Sequence, residues 1–266
     1  MLNSKDLEIS GLKSNNSKLK KILILILSLG PISFLMKYVS EWTHEFLGHC
    51  GIGFLVGGEP ISYYVSWIWP LEFGYALVSF PIGTSNISKA LTASGGIITC
   101  LIAAISCNIT IYFVLRKKKF KSNILYIMFH IVFWYGFWAF MNSTGYLLIG
   151  SLLNFGDIQN IANYAQISHW IFLIPGFLAL ILIYYLISIN VGLVFKPILK
   201  LKGRWILFIF WLLIPLIFVL FSLNPSIAIS LNLFFIIFPL MFIPSIISLF
   251  ISNRVFSYFF LKTEIY

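Results

Sequence analysis

Charge is what this sequence lacks. Only 10% of its 266 residues are charged, 18 basic against 8 acidic, while 60% are apolar and the mean hydropathy is +0.96. Soluble domains carry about 25% charged residues, so a normal water-facing surface cannot be built from this chain and its solvent is lipid. The three cysteines, Cys50, Cys100 and Cys107, are too few for a disulfide scaffold. Long unbroken apolar runs stand where a transmembrane β-barrel needs short alternating ones. No internal repeat supports an inverted-repeat transporter, and the apolar content excludes disorder. The remaining class is an all-α, polytopic helical membrane protein.

The net charge of +10 lies in blocks. Basic residues cluster in residues 1–21, from Arg116 to Lys121, from Lys196 to Arg204, and at Arg254 and Lys262. Each block abuts an apolar run, the pattern of cytoplasmic loops under the positive-inside rule. The membrane therefore explains the charge, and no nucleic-acid partner is expected. A membrane helix needs about 20 mostly apolar residues. Six segments qualify, near 22–39, 91–115, 123–141, 168–195, 205–222 and 229–252. Residues 1–21 are expected to form a basic cytoplasmic tail, and 22–266 a single membrane domain. Ile22 onward reads as a retained span, because no small-residue cleavage site follows it. Both termini are then cytoplasmic, in a multi-pass protein of the cell membrane. The stretches 40–90 and 142–167 open to the other face.

The stretch 40–90 holds four of the eight acidic residues, Glu41, Glu45, Glu59 and Glu72. Residues 41–56 predict a helix stopped by Gly57-Gly58. The aromatic and proline-rich run Ile61–Phe80 predicts extended or hairpin chain at headgroup level. Ionisable groups at membrane depth are expensive and mark function. The hexad His44-Glu45-Phe46-Leu47-Gly48-His49 is one residue longer than H-E-x-x-H, in which two histidines bind Zn²⁺ and the glutamate is general base. On an ideal α-helix residues i and i+5 stand about 140° apart around the axis. A π-type turn of about 4.4 residues brings them within about 50°, and Gly48 is a plausible place for it. An undistorted helix instead stacks Glu41, Glu45 and His49 on one face, which suits a proton relay or ion-coupled transporter.

The hexad also has the H-E-x-x-G-H form found in the dipeptidyl peptidase III family. More broadly, residues 40–160 resemble the site-2 protease family of intramembrane zinc metalloproteases. Helix 41–56, the pair Gly57-Gly58, the segment Glu59-Pro60-Ile61-Ser62 and the small-residue run Ser94-Gly95-Gly96 carry the likeness. The resemblance implies a zinc site in which a distant aspartate is third ligand, and Asn154-Phe155-Gly156-Asp157 is the match. His44, His49 and Asp157 would then hold Zn²⁺, Glu45 would be the catalytic base, and Asn154, Gly57 and Gly58 would border the substrate. The implied substrate is a transmembrane protein or peptide.

Blander readings stand beside these. Asp157 can be an ordinary helix N-terminal acid and Asn154 a cap. Glu41 can begin its helix. Glu59 and Glu72 read as interfacial or loop charges, His130 and His169 as helix-packing histidines, and Cys50 as a buried free thiol. The run 94–96 reads as a close helix contact. Besides hydrolysis, an ion-coupled transporter and an inactive scaffold of the same fold remain open.

Overall fold

The computed structural model describes residues 19, 22–68, 71–117, 123–199, 203–223, 234–235, 238–239 and 241–250. The chain is mostly helical. Among the described residues four helices are long and apolar enough to cross a membrane: α1 (Ile22–Leu55), α2, whose crossing part is Asn86–Val114 of helix Asn86–Lys117, α3 (Ile124–Leu153), and His169–Val191. The last comprises a 3-10 turn, His169–Phe172, and the start of a longer helix, Leu173–Leu199.

The expected span 22–39 and the separate helix 41–56 are one helix of 34 residues. At about 1.5 Å per residue it is about 51 Å long, well beyond the roughly 30 Å of a bilayer core. Nothing between Met36 and Phe46 breaks it, and Glu41 sits inside the helix rather than at its start. Pro31 is carried in a π-helical stretch, Ser28–Ile32. The helix stops as expected. Gly57 takes φ +86°, and the Gly58 N–H donates back to the Gly53 carbonyl at 2.8 Å, the pattern of a left-handed glycine stop.

The chain then forms an antiparallel hairpin, β1 (Glu59–Tyr64) and β2 (Tyr75–Ser79), with Glu59 opposite Ser79, Tyr64 opposite Tyr75 and a bulge at Ile61. Helix α2 starts at Asn86, earlier than the expected 91. Ser85 caps it by accepting the Ser88 N–H at 3.1 Å.

Helix α3 runs on past the expected end at residue 141. Asn142-Ser143-Thr144 has loop-like composition, yet Ser143 Oγ donates to the Ala139 carbonyl at 2.9 Å and Thr144 Oγ1 to the Phe140 carbonyl at 2.6 Å. Hydroxyls satisfied within their own helix need no water, so the helix continues through a π turn, Tyr146–Gly150, to Leu153. Asn154 ends it in a left-handed conformation, φ 49°. Helix α4 (Gly156–Ala165) follows, and then α5 (Leu173–Leu199) after the 3-10 turn.

The expected span 205–222 is helical as α6 (Gly203–Trp211) and α7 (Leu213–Ser222), with a local irregularity at Leu212, whose N–H still donates to the Phe208 carbonyl at 3.2 Å. Pro215 lacks an N–H and cannot continue the ladder of α6. The expected span 229–252 falls partly outside the described residues, and its described part includes α8 (Ile243–Phe250).

The main core gathers Phe133, Trp134 and Phe137 of α3, Ile183 and Ile187 of α5, and Leu207 and Trp211 of α6. A second cluster, Ala93, Ile97, Leu147, Ile158 and Ile161, joins α2, α3 and α4. Large apolar side chains such as Phe54, Ile102, Ile174 and Leu178 face outward, as a lipid environment requires.

Candidate metal centre

The residue that separates this hexad from H-E-x-x-H is absorbed by helix geometry. Thr43–Cys50 of α1 is π-helical, so His44 and His49 come onto one side. Their rings meet edge to face with centroids 4.8 Å apart, and the two Nε2 atoms are separated by 3.2 Å.

Asp157 completes the group from α4. Asn154 and Gly156 both have positive φ, 49° and 61°, and the tight turn they make places Asp157 in the first helical turn. Its Oδ2 lies 2.9 Å from His44 Nε2 and its Oδ1 lies 3.2 Å from His49 Nε2. Three potential ligand atoms thus fall within 4.8 Å of one another, on three buried residues. Burial by itself favours the neutral acid. The positive charge available on the His49 and His44 imidazoles outweighs it and holds the Asp157 carboxyl below the usual carboxylate range.

The surroundings aim these atoms inward. His49 Nδ1 lies 2.8 Å from the Thr92 carbonyl, so Nδ1–H donates there, and in the neutral imidazole Nε2 is the nitrogen left to ligate. His44 is clamped between Tyr146, stacked on it at 4.8 Å and 12°, and Gly96. A Cβ on Gly96 would fall 2.5 Å from His44 Nε2, and one on Gly48 would fall 2.5 Å from Gly96 Cα. Gly48, Gly95 and Gly96 therefore let the backbones of α1 and α2 touch, and that contact sets the depth of both histidines.

The donor set fits a divalent metal. Asp157 Oδ2 is buried, and its close neighbour is His44 Nε2 at 2.9 Å, an ion-pair contact rather than a hydrogen bond to a separate donor. Two imidazole nitrogens and a carboxylate this close together could hold a metal ion, and they are donor types that open zinc sites use. The hydrogen bond behind His49 is the usual outer support of a ligating histidine.

Glu45 is buried on the same π turn. It lies outside the ligand group, its Oε1 3.0 Å from where a Cβ of Gly74 would stand. Glu41 does not share the site. Its carboxylate pairs with Lys37 at 3.5 Å and accepts the Gly74 N–H at 3.4 Å. Asn154 is exposed and makes the turn before α4, while Gly57 and Gly58 make the stop of α1 beside β1. Cys50 is buried and outside the ligand group.

Glu72 accepts hydrogen bonds from the Tyr64 hydroxyl at 2.9 Å and Ser66 Oγ at 3.3 Å, a loop role. His169 bonds the Ser151 carbonyl at 2.6 Å through Nδ1. His130 Nδ1 pairs with Ser28 Oγ at 2.6 Å, but its Nε2 is buried without a partner, so it is only half satisfied. Sequence reasoning missed Thr92, Gly96 as a contact of His44, Tyr146 and the Lys37–Glu41 pair. Gly96 carried a signal as part of the small-residue run and Lys37 as one of two cations outside the basic blocks. No family model, curated protein or solved structure matches this chain.

Proposed function

We propose that this membrane protein is a zinc-dependent endopeptidase that cleaves peptide bonds of membrane-spanning substrates. The observation that carries the reading is the buried convergence of His44 Nε2, His49 Nε2 and the Asp157 carboxylate beside a buried glutamate. Two neutral imidazoles and one carboxylate leave a bound dication with net charge +1. Zinc held there supplies Lewis-acid activation of water and of a scissile carbonyl. Glu45 accepts a proton from the attacking water and returns it to the leaving amine. The hairpin Glu59–Ser79 lies against the π turn, where a strand edge can take an unwound substrate segment. In this reading the protein sits in the cell membrane with cytoplasmic termini.

The relay alternative requires Glu41, Glu45 and His49 to form one stripe. Glu41 is instead engaged by Lys37 and Gly74, and His49 Nε2 faces His44 and Asp157. Those contacts favour hydrolysis over transport.

The test is co-reconstitution of wild type and Glu45→Gln with a panel of single-span peptides carrying Gly or Pro in the span, cut sites being read by mass spectrometry. Cleavage by wild type, abolished in Glu45→Gln with zinc retained, supports the peptidase. Cleavage that survives Glu45→Gln or the loss of zinc would contradict it.

A further inference from the structure

Lys37 and Glu41 are buried ionisable groups that the proposed hydrolysis does not use. Charges at membrane depth are costly, and when paired they hold something in place. This pair holds the loop between β1 and β2. Lys37 Nζ lies 3.5 Å from Glu41 Oε2 and donates to the Ser66 carbonyl at 2.8 Å, near the start of the loop. At the other end, the Gly74 N–H donates to Glu41 Oε1. Both ends of the loop are thereby tied to the part of α1 just before His44 and Glu45.

The loop is organised to be held. Ser66 Oγ accepts the Ile68 N–H at 3.1 Å and donates to Glu72. Trp67 stacks on Tyr38 of α1 with centroids 3.9 Å apart. Phe73 packs against Phe155 at 5.2 Å, two residues before Asp157. The loop therefore reaches from the glutamates of α1 to the turn that carries the third ligand. At Gly74 the backbone itself comes against the two glutamates. A Cβ there would stand 3.0 Å from Glu45 Oε1, 3.2 Å from Glu41 Oε1 and 2.8 Å from the Tyr64 carbonyl. Only a residue without a side chain lets the backbone lie against both carboxylates.

We propose that Lys37 and Glu41 are positioning residues that strap the described loop residues 65–68 and 71–74 onto α1, so that the Gly74 backbone confines the Glu45 carboxylate. The use of Glu45 as a base rests on the peptidase reading; the strap itself does not. The pair acts through the loop and touches no reacting atom. Removing either charge breaks the Lys37–Glu41 pair, and each substitution removes the tie at its own end of the loop.

Amide hydrogen exchange on the detergent-purified full chain, with zinc content measured on the same samples, tests the strap. The samples are wild type, Lys37→Met, Lys37→Arg, Glu41→Gln and Gly74→Ala. Lys37→Met and Glu41→Gln should speed exchange of amides 65–68 and 71–74 about tenfold or more, the factor that corresponds to about 1.4 kcal/mol. Amides of α2 and α5 should keep their rates and zinc its level. Lys37→Arg, which restores a cation, should recover wild-type protection of the loop, as a generally destabilised helix would not.

If Lys37→Met and Glu41→Gln loosen the whole chain, Gly74→Ala decides, because it leaves both charges in place. Faster exchange confined to the loop supports the strap, and wild-type exchange there overturns it. Wild-type loop rates in both charge variants overturn it directly. A wild type without zinc removes the peptidase reading and leaves the strap to be judged on loop exchange alone.

Discussion

His44 and His49 are five residues apart in sequence, yet their Nε2 atoms are 3.2 Å from each other and both face the Asp157 carboxylate. The π-helical stretch Thr43–Cys50 makes this possible. A wide turn of this kind sacrifices regular helix hydrogen bonding and persists where something depends on it. Here that is the convergence of two imidazoles.

Gly96 should be as necessary for metal binding as a ligand, although it contributes no ligand atom. Gly96→Ala places a methyl group 2.5 Å from His44 Nε2, so the ring or the helix must move. Zinc affinity should fall about 10- to 100-fold, the usual effect of disturbing the support of a ligating histidine. Competitive titration against a chromophoric chelator would measure it, and unchanged affinity would remove Gly96 from the site.

Tyr146 offers a graded version of the same test. Its ring, not its hydroxyl, stacks on His44. Tyr146→Phe should keep wild-type zinc affinity and Tyr146→Ala should lose about tenfold or more. The same titration reads both; a larger loss in Tyr146→Phe would mean that the hydroxyl matters instead.

Zinc should stabilise the fold, because its ligands join α1 to α4. A ligand at about 1,000 times its Kd adds about 4 kcal/mol to the folded state. Stripping metal with a chelator should therefore lower the Tm of wild type and leave that of Asp157→Asn unchanged. Differential scanning fluorimetry checks this, and equal shifts in both would mean that the chelator acts elsewhere.

Glu45→Gln separates chemistry from binding. The amide preserves size, and Glu45 lies outside the ligand group, so zinc should remain at the wild-type level. Turnover should fall about 10²- to 10⁴-fold, the range of a lost general base. Loss of zinc in this variant would make Glu45 a ligand.

Much of the site could be read from the sequence because its chemistry is local. The His44–His49 spacing pointed to a π turn if both histidines were to share a ligand, with an undistorted helix as the alternative, and Gly57 announced the end of α1. Asp157 came into view only through resemblance to a family, since nothing in a sequence says that residues 44 and 157 meet. The continuity of α1 through residue 40 was hidden because ionisable groups at 37, 41 and 45 look like a boundary until their partners are seen. The extension of α3 through Asn142-Ser143-Thr144 was hidden for a related reason, hydroxyls bonding back to their own helix. Tyr146 left no trace beyond being one aromatic among many.

The most direct test of the metal centre is elemental analysis by mass spectrometry of the chain purified without chelators, beside His49→Ala and Asp157→Asn. The account predicts about one zinc per wild-type chain, the stoichiometry of a mononuclear three-ligand site, and loss of that zinc in both variants. Wild type without bound metal, or zinc retained in full by either variant, would contradict it.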